Sequence, residues 1–310
     1  MQILLYKAEH KQIWDEFIQN SKNGHFMHLR DYMEYHSDRF ADNSILVFED
    51  NNLIAVLPAH KKEKTLYSHQ GLTFAGLIIH KSIKTLAVIK IFEALKQYLI
   101  DNGFDELIYK AMPYIYHQNP SQEDIYALSK LAANKIHTEL SSAIDLKNRI
   151  KFSKGKLEGV KKASKNSVTI SISEDLEAFC QIMQELLANK YQSKAIHNLD
   201  ELRLLKNKFP DNIKLFAAFE NSIMIAGTII FETATVAKTQ YISSTERGRE
   251  LGAVDAIMNY LINELYTNKN FFDFGSSRSD DEYGFNESLL AQKEMFGARA
   301  IVQEVYSLKP

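Results

Sequence analysis

The chain has 310 residues, of which 25% are charged and 45% are hydrophobic, and its formal net charge at pH 7 is -2. This length predicts two domains, each with a core of its own, and the composition excludes an intrinsically disordered chain. The small net charge gives no global attraction to nucleic acid, and no stretch reaches the roughly 18 apolar residues of a membrane-spanning helix. The first residues lack the pattern of a secretory leader, so we expect a cytoplasmic protein without a membrane span.

Cysteine and histidine usage indicates no metal chemistry. The single cysteine, Cys180, rules out an intramolecular disulfide, and its apolar neighbours at helical spacing predict a buried thiol. The ten histidines show no spacing with cysteine or carboxylate clusters that is typical of a closed metal site. We therefore assign no metal and no permanently bound cofactor.

The first half contains an order of predicted elements that recurs later in the chain. Its hairpin turn, residues 49–52, is acidic and contains asparagine, as tight turns do. In chain order we predict a strand at 3–6, a helix around Trp14, a helix at 29–40, a hairpin at 44–60, one further strand, a helix at 88–99, a strand at 107–111, and a final helix and strand.

A basic segment follows at residues 147–165, with eight lysine or arginine residues and one glutamate. It separates the two halves and predicts domains at 1–150 and 151–310. After it the same order repeats, with a strand at 168–172, helices around Phe179 and at 198–209, a hairpin at 214–230, a helix at 254–265, a strand at 271–275, and a final helix and strand.

This order of elements predicts the fold class. Three meandering strands followed by helix, strand, helix and strand are the order of the GNAT acyltransferase fold, whereas Rossmann and TIM folds require strict strand–helix alternation. We therefore predict an α/β (α+β, mixed-sheet) protein made of two tandem GNAT-like domains.

Several motifs make the chain resemble one family, the FemAB-like GNAT acyltransferases, which include domains associated with cellulose and other polysaccharide pathways. The resemblance covers most of the chain. It rests on YIYHQNPSQEDIYAL (114–128), EGVKKASKNSV (158–168), Ile196-His197-Asn198-Leu199, Phe209-Pro210, Gln240-Tyr241-Ile242, Gly252-Ala253 with Asp255, and FDFGSS with NESLLAQKEMFG.

The resemblance implies transfer of an acyl group onto an amine. Family members differ in their donor, since some use acyl-CoA and the peptidoglycan-bridge enzymes use aminoacyl-tRNA. In the GNAT fold the donor lies where the fourth and fifth strands separate, with its pyrophosphate on the amides that open the next helix.

The segment 245–253, TERGRELGA, corresponds to the donor loop. The usual pattern is Arg or Gln, two residues, Gly, one residue, then Gly or Ala; Arg249 and Gly252 match it, but Val254 does not. A polar turn that opens a helix is an equally good interpretation. We assign six residues here to donor binding: Ser243, Ser244, Arg247, Arg249, Gly252 and Ala253. The first half has no Arg or Lys in the equivalent stretch before Lys81, so we expect its domain to be catalytically silent.

The stretch 271–297 combines a strand end, a polar loop and a helix. Asp273 ends the strand, Ser277 lies in the loop, and Lys293 lies on an apolar helix face with Leu289 and Phe296. A lysine in that position snorkels to water or meets a partner. We predict that Asp273, Ser277 and Lys293 converge on a cleft, and that Lys293→Met abolishes turnover or ligand binding with little loss of stability.

Amine acylation by direct attack needs a neutral amine, donors for the oxyanion and a proton acceptor. We assign Asp273, Tyr241 and His197 as catalytic candidates, although each also suits a purely structural role. Lys293, Ser277, Tyr116 and His117 are the substrate-binding candidates.

The predicted function is transfer of an acyl group from acyl-CoA to an amine of a cell-envelope or polysaccharide intermediate. The acceptor is expected to be a small molecule, a glycan or a peptide. One alternative is an aminoacyl-tRNA-dependent peptidyltransferase, which the basic segment favours and the negative net charge opposes. The other is a non-catalytic GNAT-shaped binding module.

Overall fold

The computed structural model describes residues 1–190 and 197–310, so Ile196, part of one motif above, lies outside the described residues. The chain forms two compact units, Met1–Glu139 with Val302–Pro310, and Leu140–Ile301. Both are mixtures of strands and helices, which confirms the predicted α/β class. In the described ranges no helix combines the length and the apolar character needed to cross a bilayer.

The first unit has two groups of strands. Strands β1, β3, β4 and β7 form an antiparallel sheet, and β2, β5, β6 and β8 continue in that order in a second, mixed sheet. The elements are β1 Gln2–Leu5, α1 Lys11–Asn20, α2 Arg30–Met33, β2 Ala41–Asp42, β3 Ile45–Glu49, β4 Asn52–Leu57, β5 His60–Lys62, β6 Thr65–Tyr67, β7 Ile78–Ile79, α3 Thr85–Asp101, β8 Glu106–Lys110, α4 Glu123–Lys130 and β9 Asn134–Asp145. Short 3₁₀ helices lie at Ala8–His10, Phe26–His28, Glu34–His36 and Tyr114–Tyr116.

The second unit follows the predicted order closely. Strands β10 to β14 are neighbours in sequence order, antiparallel except for the β13–β14 pair. The elements are α5 Lys154–Lys165, β10 Thr169–Ser173, α6 Leu176–Lys190, α7 Leu199–Lys208, β11 Ile213–Glu220, β12 Ile223–Glu232, β13 Val236–Ser244, α8 Glu246–Leu251, α9 Ala253–Tyr260, a π-helix Leu261–Leu265, β14 Phe271–Ser276 and α10 Glu287–Met295. The last strand, β15 Arg299–Leu308, belongs to the first unit from Val302 onwards.

Each unit takes its last strand from the other half of the sequence. In the second unit the end of β9 pairs antiparallel with β14, so that Ile144 lies opposite Phe272. In the first unit the end of β15 pairs antiparallel with β8, with Leu308 opposite Leu107. The compact units therefore differ from the sequence domains 1–150 and 151–310, because a repeat in sequence does not specify which neighbour a strand pairs with.

Both hairpin turns have the predicted form. Asp50 and Asn51 have φ angles of 49° and 64°, and Asn221 and Ser222 have 50° and 67°. Two consecutive residues with positive φ are typical of the type I′ turn, which matches the twist of the flanking strands.

The predicted helix at 29–40 was wrong in extent, because only α2 and one 3₁₀ turn form there. Arg30 is 3% exposed, and its guanidinium binds Glu34 and Asp42 at 3.0 and 2.5 Å. The Arg30–Asp42 pair and the burial of His36 fix the segment by tertiary contacts, which override its helical pattern.

Candidate functional site

Strands β13 and β14 separate after a short parallel pairing. The pairs are Val236–Phe271, Ala237–Phe272 and Lys238–Asp273, after which β13 continues to Ser244 beside β12 alone. The β12–β13 register shifts at Gln240, which makes a bulge that bends the strand. The edge of β13 beyond Lys238 therefore opens towards a gap.

A cleft of about 500 Å³ lies at this gap. Its lining includes Ser243 and Ser244 of β13, Arg249, Gly252, Phe274 and Lys293. The hydroxyl of Ser243 is buried and has no hydrogen-bond partner among the described residues. A buried hydroxyl without a partner is costly, and it is available to a ligand that enters the cleft.

Lys293 of α10 is 6% exposed, and its ammonium holds the loop after β14. Its Nζ donates to the carbonyl oxygens of Gly275 at 2.8 Å and Ser276 at 2.7 Å, and to Ser277 Oγ at 2.8 Å. Burial lowers the pKa of Lys293 to about 8, opposed by Asp273 and assisted by the neighbouring Lys238 ammonium. The structure brings Lys293 and Ser277 together, but these three bonds use all of the ammonium hydrogens.

Asp273 is 3% exposed and lies at the end of the β13–β14 pairing. Its Oδ1 accepts from the amide of Gly275 at 2.7 Å and from Ser141 Oγ at 3.3 Å. Gly275 has a φ of 72°, so this bond fixes a turn that leads from the strand into the Lys293 loop. Asp273 thus supports the same loop from the strand side.

His197 and Tyr241 form a close pair. Nδ1 of His197 lies 2.6 Å from the Tyr241 hydroxyl, which also accepts from the His197 amide at 3.2 Å. Burial raises the pKa of Tyr241 to about 12, so the hydroxyl stays protonated near neutral pH. Tyr241 directly precedes Ile242 and Ser243 of β13, which line the cleft.

The donor loop is divided between cleft and surface. Arg249 lines the cleft and donates from Nη1 to the carbonyl oxygen of Ser244 at 2.9 Å. Arg247 instead pairs with Glu220 at 2.6 Å and with Glu250 at 3.3 Å at the surface. Ala253 is fully buried. Of the six predicted donor residues, the structure brings all but Arg247 and Ala253 to the cleft.

Helix α5 packs against the donor loop, a feature that the sequence alone did not predict. A Cβ added to Gly252, which has a φ of 72°, would lie 2.5 Å from the carbonyl oxygen of Gly159. Lys156 Nζ lies 2.8 Å from Asp255 Oδ1 and 4.3 Å above the Phe296 ring. Lys156 and Asp255 both line the cleft. Gly159 in the basic segment, which allows this close approach, is a signal that the sequence offered.

Tyr116 and His117 lie in the first unit. The Tyr116 ring is 4.2 Å from the Phe74 ring and is almost fully buried. Burial lowers the pKa of His117 to about 4; Glu123 opposes the shift and Lys22 adds to it. Lys22 itself is buried and donates to Glu123 at 2.5 Å.

Across residues 1–190 and 197–310, no group of three or more His, Cys, Asp or Glu side chains is placed to hold a metal ion. The candidate site consists of the cleft, the Lys293 loop and the His197–Tyr241 pair in the second unit.

Comparisons with known proteins identify the fold. No family model and no curated protein sequence matches the chain. Among solved structures, FemX matches with a TM-score of 0.69 at 11% identity, over 98% of this chain and 97% of that chain. L-PGS from Bacillus licheniformis matches at 0.63 and 12% identity, over 97% and 91%. A tandem GNAT protein from the clavulanic acid biosynthesis pathway matches at 0.52 and 9% identity, over 99% and 97%. At such identities the likeness concerns the fold alone. The chain has the FemAB-like tandem GNAT fold.

Proposed function

We propose that the second unit is an acyltransferase that moves an acyl group onto an amine in the cleft between β13 and β14. The observation that carries the proposal is the separation of these parallel strands after Lys238, which leaves an open strand edge beside a partly cationic cleft. An extended donor can pair with such an edge and present its carbonyl to backbone amides.

The reaction needs no covalent enzyme intermediate. The lone pair of the neutral amine attacks the donor carbonyl, a C–N bond forms, and the bond to the leaving sulfur or oxygen breaks. The amine loses one proton, and the leaving group gains one. Tyr241 suits the second transfer, because its phenol is protonated at neutral pH and is hydrogen-bonded to His197.

Acyl-CoA is the proposed donor, and the acceptor is an amine of a cell-envelope or polysaccharide intermediate. Arg249 and Lys156 bring positive charge to the cleft for an anionic donor, although Lys156 is paired with Asp255. Aminoacyl-tRNA is the second candidate, favoured by helix α5, which carries five lysines, although Lys156 is paired with Asp255 and Lys154 with Glu158. The sequence resemblance supports both donors.

The proposal is tested by calorimetry and by transfer assays with the full chain. Acetyl-CoA, longer acyl-CoAs and charged tRNA are titrated first, and amide products are then sought by mass spectrometry with amino sugars and short peptides as acceptors. We expect acyl-CoA binding and an amide product. Tight, salt-sensitive tRNA binding without CoA binding would reverse the order of donors, and binding without any amide product would favour a non-catalytic module.

Tyr241→Phe should lower the transfer rate constant by about 10²- to 10⁴-fold, the usual contribution of a general acid or base. The loss of one neutral hydrogen-bond partner should lower the free energy of unfolding by only about 1 kcal/mol. Rates at saturating substrate and urea unfolding measure the two effects. Tyr283→Phe, at a tyrosine that is 65% exposed, serves as the control. Equal rates for the two variants would remove Tyr241 from the mechanism.

A further inference from the structure

Three buried histidines surround one loop of the first unit. His36, His60 and His69 are each at most 3% exposed. The rings of His36 and His69 stack with centroids 5.1 Å apart, and the His60 and His69 centroids are 5.4 Å apart. The loop they contact, residues 68–76, is called the histidine loop below.

Two of these rings hold the backbone of the histidine loop. His60 Nδ1 accepts from the Gln70 amide at 3.3 Å, so this nitrogen must be unprotonated. His36 Nε2 lies 3.1 Å from the Gly71 carbonyl oxygen and donates to it. The fit is tight, because a Cβ added to Gly71 would lie 2.3 Å from His36 Nε2 and 2.5 Å from the Phe40 ring.

His69 has an unusual conformation for a buried residue. Its φ is 37°, in the left-handed region that a residue with a side chain seldom adopts. Its Nδ1 is buried without a hydrogen-bond partner among the described residues. A proton added to His69 Nδ1 would place a charge and a new donor in a site with no acceptor for it.

The charges that face the three rings do not favour protonation. Arg30 and His28 face His69; Arg39 and Asp38 face His36; Lys62, Asp42 and the Gln70 side chain face His60. Backbone carbonyls of Gly71 and Met33 also face His36. Arg30 binds one of the two carboxylates, Asp42, at 2.5 Å. The surroundings thus hold more positive than negative charge near the rings.

We propose that the histidine loop opens in acid, because protonation of His60 and His69 breaks the contacts that hold the loop in place. The loop carries Phe74, whose ring lies 4.2 Å from that of Tyr116, a substrate-binding candidate. Acid therefore opens the first unit at the loop and disturbs the Tyr116 region, independently of the chemistry in the second unit.

The difference in ring pKa between the closed and the open loop gives the direction and size of the pH effect on loop opening. Burial lowers the pKa of His69 to about 2 and also lowers the pKa of His36 and His60. The seated loop thus prefers neutral rings, and its stability is present above pH 6.5 and lost as pH falls below it. Between pH 7.5 and 5.5, each ring that regains its ordinary pKa on opening shifts the equilibrium by up to about tenfold.

Hydrogen exchange with mass spectrometry tests the proposal on the full chain. Protection factors, corrected for the chemical exchange rate, are compared at pH 7.5 and 5.5 for peptides that cover the histidine loop. We expect a loss of protection of up to about a thousandfold for three rings. Peptides from α3 in the same unit should keep their protection, and an equal loss there would show global unfolding and overturn the proposal.

The double variant His60→Gln and His69→Gln removes two titrating rings, and the new amide oxygen at position 60 can still accept from the Gln70 amide. We expect the pH effect on loop protection to shrink by up to about a hundredfold, because two rings no longer titrate, whereas His36 and the buried His28, which faces Phe74 of the loop, remain. If the double variant does not fold, His60→Gln alone should reduce the pH effect by up to about tenfold. His137→Gln, at an exposed histidine, is the control and should behave as the parent. An unchanged pH effect in the histidine loop variants would overturn the proposal.

Discussion

Lys293→Met is expected to abolish acyl transfer and to lower the free energy of unfolding by about 1–3 kcal/mol. The ammonium donates to two carbonyl oxygens and to Ser277 Oγ, and all three acceptors lose their partner in the variant. Relief of a buried charge offsets part of the loss. This loss of unfolding free energy is larger than the small loss predicted from the sequence. That prediction assumed that Lys293 faces a ligand and not the loop backbone.

The pH dependence of the same variant gives a second readout. The pKa of Lys293 in the folded protein is about 8, below the ordinary 10.5, so burial of the ammonium costs free energy below pH 8. That cost disappears as pH rises through 10.5. The stability of the parent relative to the variant should therefore increase between pH 8 and 10.5, as measured by urea unfolding.

Lys269→Met is the matched control for Lys293→Met. Lys269 also binds a backbone carbonyl, that of Thr233 at 2.6 Å, and a carboxylate, that of Glu232 at 2.9 Å, but it is not among the residues that line the cleft. We expect it to lose stability and keep transfer activity. Retention of full activity in Lys293→Met, or equal loss in both variants, would contradict a role for Lys293 in the site.

Gly252→Ala should lower the free energy of unfolding by about 2–4 kcal/mol, through backbone strain and a direct clash. The residue has a φ of 72°, and its new Cβ would lie 2.5 Å from the Gly159 carbonyl oxygen. To relieve the clash, α5 would have to move away from the start of α9, which would also disturb the Lys156–Asp255 pair.

Gly284→Ala separates the two causes. Gly284 has a φ of 74°, yet a Cβ added there would have no atom within 4 Å among its described neighbours, so only the strain remains. We expect a loss of about 1 kcal/mol there. Circular dichroism is used to follow the unfolding of both variants. Tryptophan fluorescence does not report on the second unit, because the single tryptophan, Trp14, is in the first unit. Equal losses at the two glycines would contradict the close α5 contact.

Local features of the fold follow from the sequence because they depend on neighbouring residues. The turns at Asp50-Asn51 and Asn221-Ser222 carry their own preference for positive φ, and both formed as expected. The repeated order of elements led to the GNAT fold, which the comparisons confirm.

Features that depend on distant partners did not follow from the sequence. The alternating pattern of β9 and β15 decides which side chains face the core but not which strand lies alongside, so the exchange of last strands was missed. Arg247 was assigned to donor binding for its charge within the donor loop, yet Glu220, far away in the chain, pairs with it at the surface. The assignments of Tyr241, His197, Asp273 and Lys293 to catalysis and binding stay predictions.

The exchange of last strands has a consequence during synthesis on the ribosome. Strand β8 acquires its antiparallel neighbour only when residues 305–308 have been made. At about 5–20 residues per second, the edge of β8 waits on the order of 10–40 seconds after its own synthesis. During that time Leu107 and Tyr109 belong to an unfinished sheet whose backbone amides can pair with other nascent chains. Chaperone demand should therefore concentrate on the first half of the chain, although that half is translated first.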